Sequence, residues 1–263
     1  MHSQTHVYCP LSNKKIMTIT PIAHFHSAFP TKFGVPRQSG IINELKGRII
    51  FEPAYRNADA LRGLEGFDYI WIIWEFSANK SAKGHKASSW QPTVRPPLLG
   101  GNTQMGVFAT RSPYRPNPLG LSSVRIEHIE MTDKEGPVIH VLGADLMDGT
   151  PIYDIKPYVA YADNHPQAHS GFVDEHRWQE LEVVFPEHLQ KNFSIESLTA
   201  LTRVLALDPR PQYQNNPEKI YGMPYAGYDV RFYVANGILT VLEVKRETLK
   251  VKESTHNENS SNS

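Results

Sequence analysis

"FDYIWIIWEF" (residues 67–76) is the run that decides the fold. Its tryptophans, isoleucines and tyrosine pack well on a pleated surface, and a run this apolar has no face suited to water. It reads as a strand covered on both sides. Around it lie further short β-type stretches: "ITPIAHFHSAF" (19–29), "GRIIFE" (47–52), "MGVFAT" (105–110), "LSSVRIEHIEM" (121–131) and "PVIHVLGADL" (137–146). Turn residues separate them, and no helix alternates with them, which excludes a doubly wound parallel sheet. Short strands joined by Gly/Pro turns point to a mainly β fold, either a closed barrel or a sandwich. One short helical segment fits "NADALRGLEG" (57–66), capped by Asn57 and stopped by Gly63 or Gly66.

The 263 residues allow one large domain or two ordinary ones. Forty per cent are apolar and 21% charged, enough for a real core. Formal net charge is zero, so affinity for a polyanion would need a local patch. The single cysteine, Cys9, excludes a disulfide framework and a thiolate-rich metal site, and fits a reducing, cytoplasmic setting. No apolar run approaches the roughly 18 residues of a membrane span.

The chain divides by composition. Residues 1–16 read as a flexible extension, 17–160 as the β domain, 161–185 as a polar connector, 186–250 as a small α+β domain, and 251–263 as a polar, disordered tail. Within the second domain, "SIESLTALTRVLALDP" (194–209) sets Ile195, Leu198, Leu201, Val204 and Leu205 at helical spacing, with Ser194 as N-cap. "YDVRFYVANGILTVLEV" (228–244) places Asn236-Gly237, a favoured type I′ pair, between two alternating runs.

Four polar clusters interrupt the strands. "GVFATRSPYRPNPLGLSSVRI" (106–126) sets Arg111, Arg115 and Asn117 on a backbone stiffened by Pro113, Pro116 and Pro118. "KFGVPRQSG" (32–40) carries Arg37, Gln38 and Ser39; "WQPTVRPPLLGGN" (90–102) carries Arg95 and a Gly pair; "LGADLMDGTPIYDIKPY" (142–158) carries Asp145, Asp148 and Asp154. Any one alone is a well-made turn. Together they favour a built site in which arginine forks grip carboxylate or phosphate and aspartates accept from hydroxyls or an ammonium. There is no P-loop, no Gly-x-Gly-x-x-Gly, no His-Glu-x-x-His and no nucleophile elbow. The twelve histidines are scattered, which argues against a metal site.

The segments "FGVPRQSG", "PTVRPPLLGGN", "GVFATRSPYRPNPLGLS" and "ADLMDGTPIYDIKPY" resemble, in order, the signatures of the TsaA-like family, the TrmO tRNA methyltransferases. "LALDPRPQY" (205–213) is similar to the C-terminal extension of bacterial members. The resemblance implies a β-barrel that binds S-adenosylmethionine, a homodimer with the cofactor near the subunit interface, and methylation of N6 of threonylcarbamoyladenosine, 3′ of the tRNA anticodon. Carried over by motif, Gln38, Ser39, Gly40, Ser77, Ala78, Arg111, Leu121, Ala144, Asp145, Leu146 and Met147 would line the cofactor. Arg115 and Asn117 would orient the accepting group, and Arg95 and Arg210 would contact tRNA. No metal and no membrane are implied. The rival readings are a non-catalytic RNA-binding module and a β-barrel S-adenosylmethionine-dependent enzyme acting on a small molecule.

Overall fold

Six strands close into an antiparallel barrel: β1 (Ala23–His26), β2 (Lys46–Phe51), β3 (Tyr69–Glu75), β6 (Leu119–Thr132), β7 (Gly136–Leu142) and β8 (Thr150–Pro157). Their order is β1-β2-β7-β6-β3-β8, and β8 pairs back onto β1. Two short strands between β3 and β6, β4 (Thr93–Val94) and β5 (Met105–Gly106), pair as a separate ribbon. The computed structural model describes residues 18–79, 90–176, 178–211 and 216–247. The expected extension 1–16 and tail 251–263 lie outside the described residues.

The 67–76 run behaves as its composition demands. Ile70, Ile72 and Trp74 point into the barrel and are buried. Trp71 and Ile73 face outward yet stay half-buried. Tyr158 lies 5.8 Å from the Trp71 ring, and the Trp71 indole N–H donates to Asp163 Oδ2 at 3.0 Å. Phe25, Ile49, Val124, Ile139, Val141 and Ile152 complete the barrel core. Gly120 lies opposite Trp74 in the ladder, and a Cβ there would come within 2.3 Å of the indole. The large ring fits because that strand position has no side chain.

Three local expectations are revised. "MGVFAT" pairs only at Met105–Gly106, and Val107–Ala109 coil into a 3-10 turn. Pro92, opposite Val107, has no N–H to continue the ladder, and Arg115 Nη1 takes the Val107 and Thr110 carbonyls at 3.1 and 2.7 Å. "ITPIAHFHSAF" is a strand only over Ala23–His26, because the Ser27 N–H turns to Asp148 Oδ1 at 3.0 Å. The 57–66 segment forms two 3-10 turns, with Asn57 capping the first through the Asp59 N–H.

Past the barrel come the short helices α1 (Ala160–Asp163) and α2 (Phe172–Glu175), strand β9 (Glu182–Val184), α3 (Glu187–Gln190), α4 (Ile195–Ala206), and strands β10 (Tyr221–Tyr225), β11 (Tyr228–Ala235) and β12 (Ile238–Arg246). The strands form one sheet in the order β10-β11-β12-β9. Asn236 and Gly237 both have positive φ (51° and 79°), as a type I′ turn requires. Ser194 caps α4 through the Ser197 N–H. The buried face of α4 is Ala200, Leu201, Val204 and Leu205, whereas Ile195, in its first turn, is 86% exposed.

This second core is not made by the C-terminal residues alone. Phe29, Ile42 and Leu45, from the long β1–β2 connection, are buried in it beside α4, Met223 and Phe232. Gly34, at φ +91°, lies so close to Met223 that a Cβ would sit 2.3 Å from its sulfur. The exposed Arg203–Glu44 pair at 3.0 Å also joins the two units, but such pairs are worth at most about 1 kcal/mol. Apolar burial therefore dominates the junction. Leu201→Ala is expected to lower stability by about 2–5 kcal/mol in urea unfolding. A chain ended at residue 160 would leave Phe29, Ile42 and Leu45 uncovered and bind a hydrophobic dye. A truncated chain that is soluble and dye-free would show that the 29–45 segment is held by the barrel alone.

Candidate functional site

The polar clusters meet at one mouth of the barrel. The β1–β2 connection crosses this mouth and is stitched to the β7–β8 turn by backbone bonds. Gly40 N donates to Gly143 O, Gly143 N to Leu45 O, and Asp148 N to Phe29 O, each at 2.8 Å. The Ser27 hydroxyl adds a bond to Leu146 O at 3.1 Å. The Pro-rich segment 107–118 forms the facing wall, braced by Arg115.

Between these walls lies a cleft of about 530 Å³, within the range of small-molecule sites. Of the residues expected to line a cofactor, Gln38, Ser77, Ala78, Arg111, Leu121, Asp145 and Met147 surround it. Ser39 and Gly40 continue the same loop just beyond its lining. Ala144 and Leu146 are buried in the barrel core, so their side chains hold the turn while Asp145 and Met147 face the cleft. Arg115 lines the cleft too; Asn117 is exposed and does not. Arg95 and Arg210 lie in an adjoining groove.

At the cleft floor two strands and the β7–β8 turn contribute one hydrogen-bonded chain. The Trp74 indole N–H donates to Ser122 Oγ at 3.0 Å, and Ser122 Oγ–H donates to Asp145 Oδ1 at 2.6 Å. Burial raises the Asp145 carboxyl above the usual carboxylate value. The Ser122 hydroxyl, the Asp145 and Ser39 backbone amides and the Arg111 charge pull the other way without overcoming it. Arg111 Nη1 donates to Gln38 Oε1, tying the two loops across the opening. A second carboxylate, Glu75, lines the cleft and accepts from the Tyr153 hydroxyl at 2.8 Å. Burial and then Glu75 push that phenol up to about 12. The site thus sets two carboxylates and three arginines (Arg37, Arg111 and Arg115) among apolar walls from Trp74, Phe76, Leu121 and Met147.

Sequence reading did not find Trp71, Trp74, Phe76, Glu75 or Ser122 as site residues. The one available signal was Gly120 inside a strand, which marks close approach of another group. Elsewhere among the described residues, Glu127, His128 and His140 bring potential metal donors together on the outer barrel face. The two imidazoles are stacked, 4.1 Å apart and within 13° of parallel, so their in-plane lone pairs do not converge on one point. His140 instead pairs with Glu130 at 2.9 Å.

Comparison with known proteins agrees with this fold. The family model of the tRNA-methyltransferase O N-terminal domain matches residues 24–164, and that of the TrmO C-terminal domain matches residues 178–247. The tRNA (adenine(37)-N6)-methyltransferase of Escherichia coli K12 is 39% identical over 223 residues, covering 82% of this chain and 92% of its own. A putative S-adenosylmethionine-dependent methyltransferase, RcsF, of Pseudomonas aeruginosa is 35% identical over 237 residues, covering 86% and 97%. A crystal structure of TrmO from Pseudomonas aeruginosa superposes with a TM-score of 0.66 at 31% identity, covering 87% of this chain and 98% of that one. With both family domains matched in order across barrel and C-terminal sheet, the chain belongs to the TrmO family of tRNA methyltransferases.

Proposed function

We propose that the protein uses S-adenosylmethionine to methylate N6 of threonylcarbamoyladenosine at position 37 of tRNA. The observation that carries this reading is the barrel-mouth cleft, whose desolvated Asp145 faces Arg111 across a space of ligand size. A carboxylate kept dry gains most from a cationic ligand, and S-adenosylmethionine carries both a sulfonium and an ammonium. Arg111 matches its carboxylate, and Trp74, Phe76, Leu121 and Met147 match its apolar surface. Gln38, Ser39, Gly40, Ser77, Ala78 and the 144–147 turn would complete the holding set. When bound, the cofactor supplies a methyl carbon already activated by its leaving group.

This chain's residues then have two tasks. They must aim the accepting nitrogen, because proximity and alignment supply several kcal/mol of the barrier reduction. They must also take the proton that a urea-like nitrogen loses. Asp145 and Glu75 are the carboxylates in the cleft, and Arg115, fixed by the Val107 and Thr110 carbonyls, is a rigid cation beside the opening. Arg115 suits the threonyl carboxylate or carbamoyl oxygen of the substrate. Asn117 would act from outside the cleft, and Arg95 would meet tRNA beyond it.

We further infer a two-fold homodimer acting in the cytoplasm, where its tRNA substrate is found. No described helix is long and apolar enough to cross a membrane. Phe108, 71% exposed, and Val173, 49% exposed, are apolar side chains beside the cleft that a second copy would cover. Sedimentation showing only a 29.8 kDa species at micromolar concentration would contradict this assembly.

The function is tested by nucleoside analysis of tRNA from a deletion strain. Loss of the N6-methylated form, restored by the gene, is expected; an unchanged nucleoside profile would overturn it. Arg111→Ala is expected to weaken S-adenosylmethionine binding by about 1.5–3 kcal/mol in titration calorimetry, the worth of a charged hydrogen bond. Asp145 gives a pH signature. Its folded carboxyl holds a proton more tightly than the unfolded one, so stability is lost as pH rises through the usual carboxylate value of about 4. Asp145→Asn is therefore expected to raise the melting temperature of the ligand-free protein at pH 7, with the gain disappearing at lower pH, while weakening cofactor binding. A variant less stable at pH 7 would mean that the Ser122 bond outweighs the burial cost.

A further inference from the structure

The cofactor cleft does not end at the barrel mouth. Arg37 and Tyr114 line it and also line two further clefts that open from it. One of these, a groove of about 790 Å³, runs between the β1–β2 connection, the 95–102 turn and the 207–211 turn after α4. Its charge is unlike that of the chain. Lys32, Arg37, Arg95 and Arg210 line it against a single carboxylate, Asp208, in a protein of formal net charge zero. The neighbouring cleft of about 1160 Å³ adds Arg111 and no carboxylate.

The cations have different tasks. Arg210 forms a bidentate pair with Asp208, Nε to Oδ1 and Nη2 to Oδ2, both at 2.8 Å, and its side chain is 11% exposed. That guanidinium is spent on fixing its own turn. Arg37 donates to the Leu207 and Asp208 carbonyls and lies flat over Trp178, with Cζ 3.5 Å from the ring centre. Arg37 and Arg210 therefore hold the 207–211 turn and Trp178 in place. Lys32 and Arg95 are exposed and make no hydrogen bond or ion pair with the described residues. Tyr114, 48% exposed, stands at the junction with the cofactor cleft.

We propose that this groove holds the single-stranded nucleotides adjoining the target adenosine, with Tyr114 and Trp178 stacking bases and Lys32 and Arg95 meeting phosphates. This rests on the tRNA reading above and adds where the strand runs and which residues grip it. Free cations beside the exposed Tyr114 and the half-buried Trp178 suit an unpaired strand, whose bases can splay onto aromatic faces. A duplex would offer its phosphates but no open base faces to Tyr114 and Trp178. An acidic peptide would satisfy the cations and leave the rings unused. The C-terminal unit completes the groove, because Trp178 and the 207–211 turn form its far wall.

The test uses the full chain and a fluorescently labelled seven-nucleotide RNA, read by anisotropy at several salt concentrations. Each phosphate contact on a single strand contributes about 0.7 to the slope of log K against log salt. The double variant Lys32→Ala/Arg95→Ala is expected to flatten the slope by about 1 to 1.5 and weaken binding tenfold or more near 0.1 M salt. Tyr114→Ala is expected to weaken binding about tenfold with the slope unchanged, because stacking releases no counterions. The thermal unfolding midpoint of the double variant, read by circular dichroism, should match the wild type and certify the fold. RNA binding unchanged in both variants, or absent from the wild type, overturns the groove. A double variant that binds RNA normally while the wild type methylates tRNA sinks the groove and spares the function. A wild type that grips the RNA as described yet leaves threonylcarbamoyladenosine unmethylated does the reverse.

Discussion

The shape of the site depends on the passage from Ser27 to Leu45, which belongs to two cores at once. At its ends it is strand β1 and strand β2 of the barrel. In between, Phe29, Ile42 and Leu45 are buried against α4 and the C-terminal sheet. Backbone bonds from Gly40 and Phe29 to the β7–β8 turn hold it over the barrel mouth. Arg37 and Gln38 ride on this passage, one facing the cationic groove and the other bonded to Arg111. The C-terminal unit is therefore part of the cleft's scaffold, although among the described residues none of its own lines the barrel-mouth cleft.

Rigidity and charge are divided between the two walls. The proline-rich wall is stiff because three φ angles are fixed and because Arg115 cross-links its carbonyls. The opposite wall supplies Asp145, held by Ser122 and Trp74 in a place where its charge is poorly solvated. Such a carboxylate costs folding stability when the site is empty and repays it when a cation arrives.

Much of the barrel was legible because alternation of apolar residues is a local signal. The 67–76 run, the Asn236-Gly237 turn and the α4 cap at Ser194 all declared themselves within a few residues. The four polar clusters were legible too, as turns too polar and too stiff to be ordinary. What escaped was every contact between distant segments. Nothing local ties Gly34 to Met223, or Trp74 to Ser122 to Asp145. Arg210 read as a cation for tRNA, and the sequence did not show that Asp208, two residues earlier, binds its Nε and Nη2. The 105–110 stretch read as a strand for the same reason, since the competing hydrogen bonds come from Arg115.

Hydrogen–deuterium exchange with and without S-adenosylmethionine places the ligand most directly. If the barrel-mouth cleft is the cofactor site, exchange slows at the 37–40 loop, the 111–115 wall and the 145–147 turn, while the outer face around His128 and His140 is unchanged. Protection confined to that outer face, or to the C-terminal sheet with the 145–147 turn unaffected, would contradict the assignment.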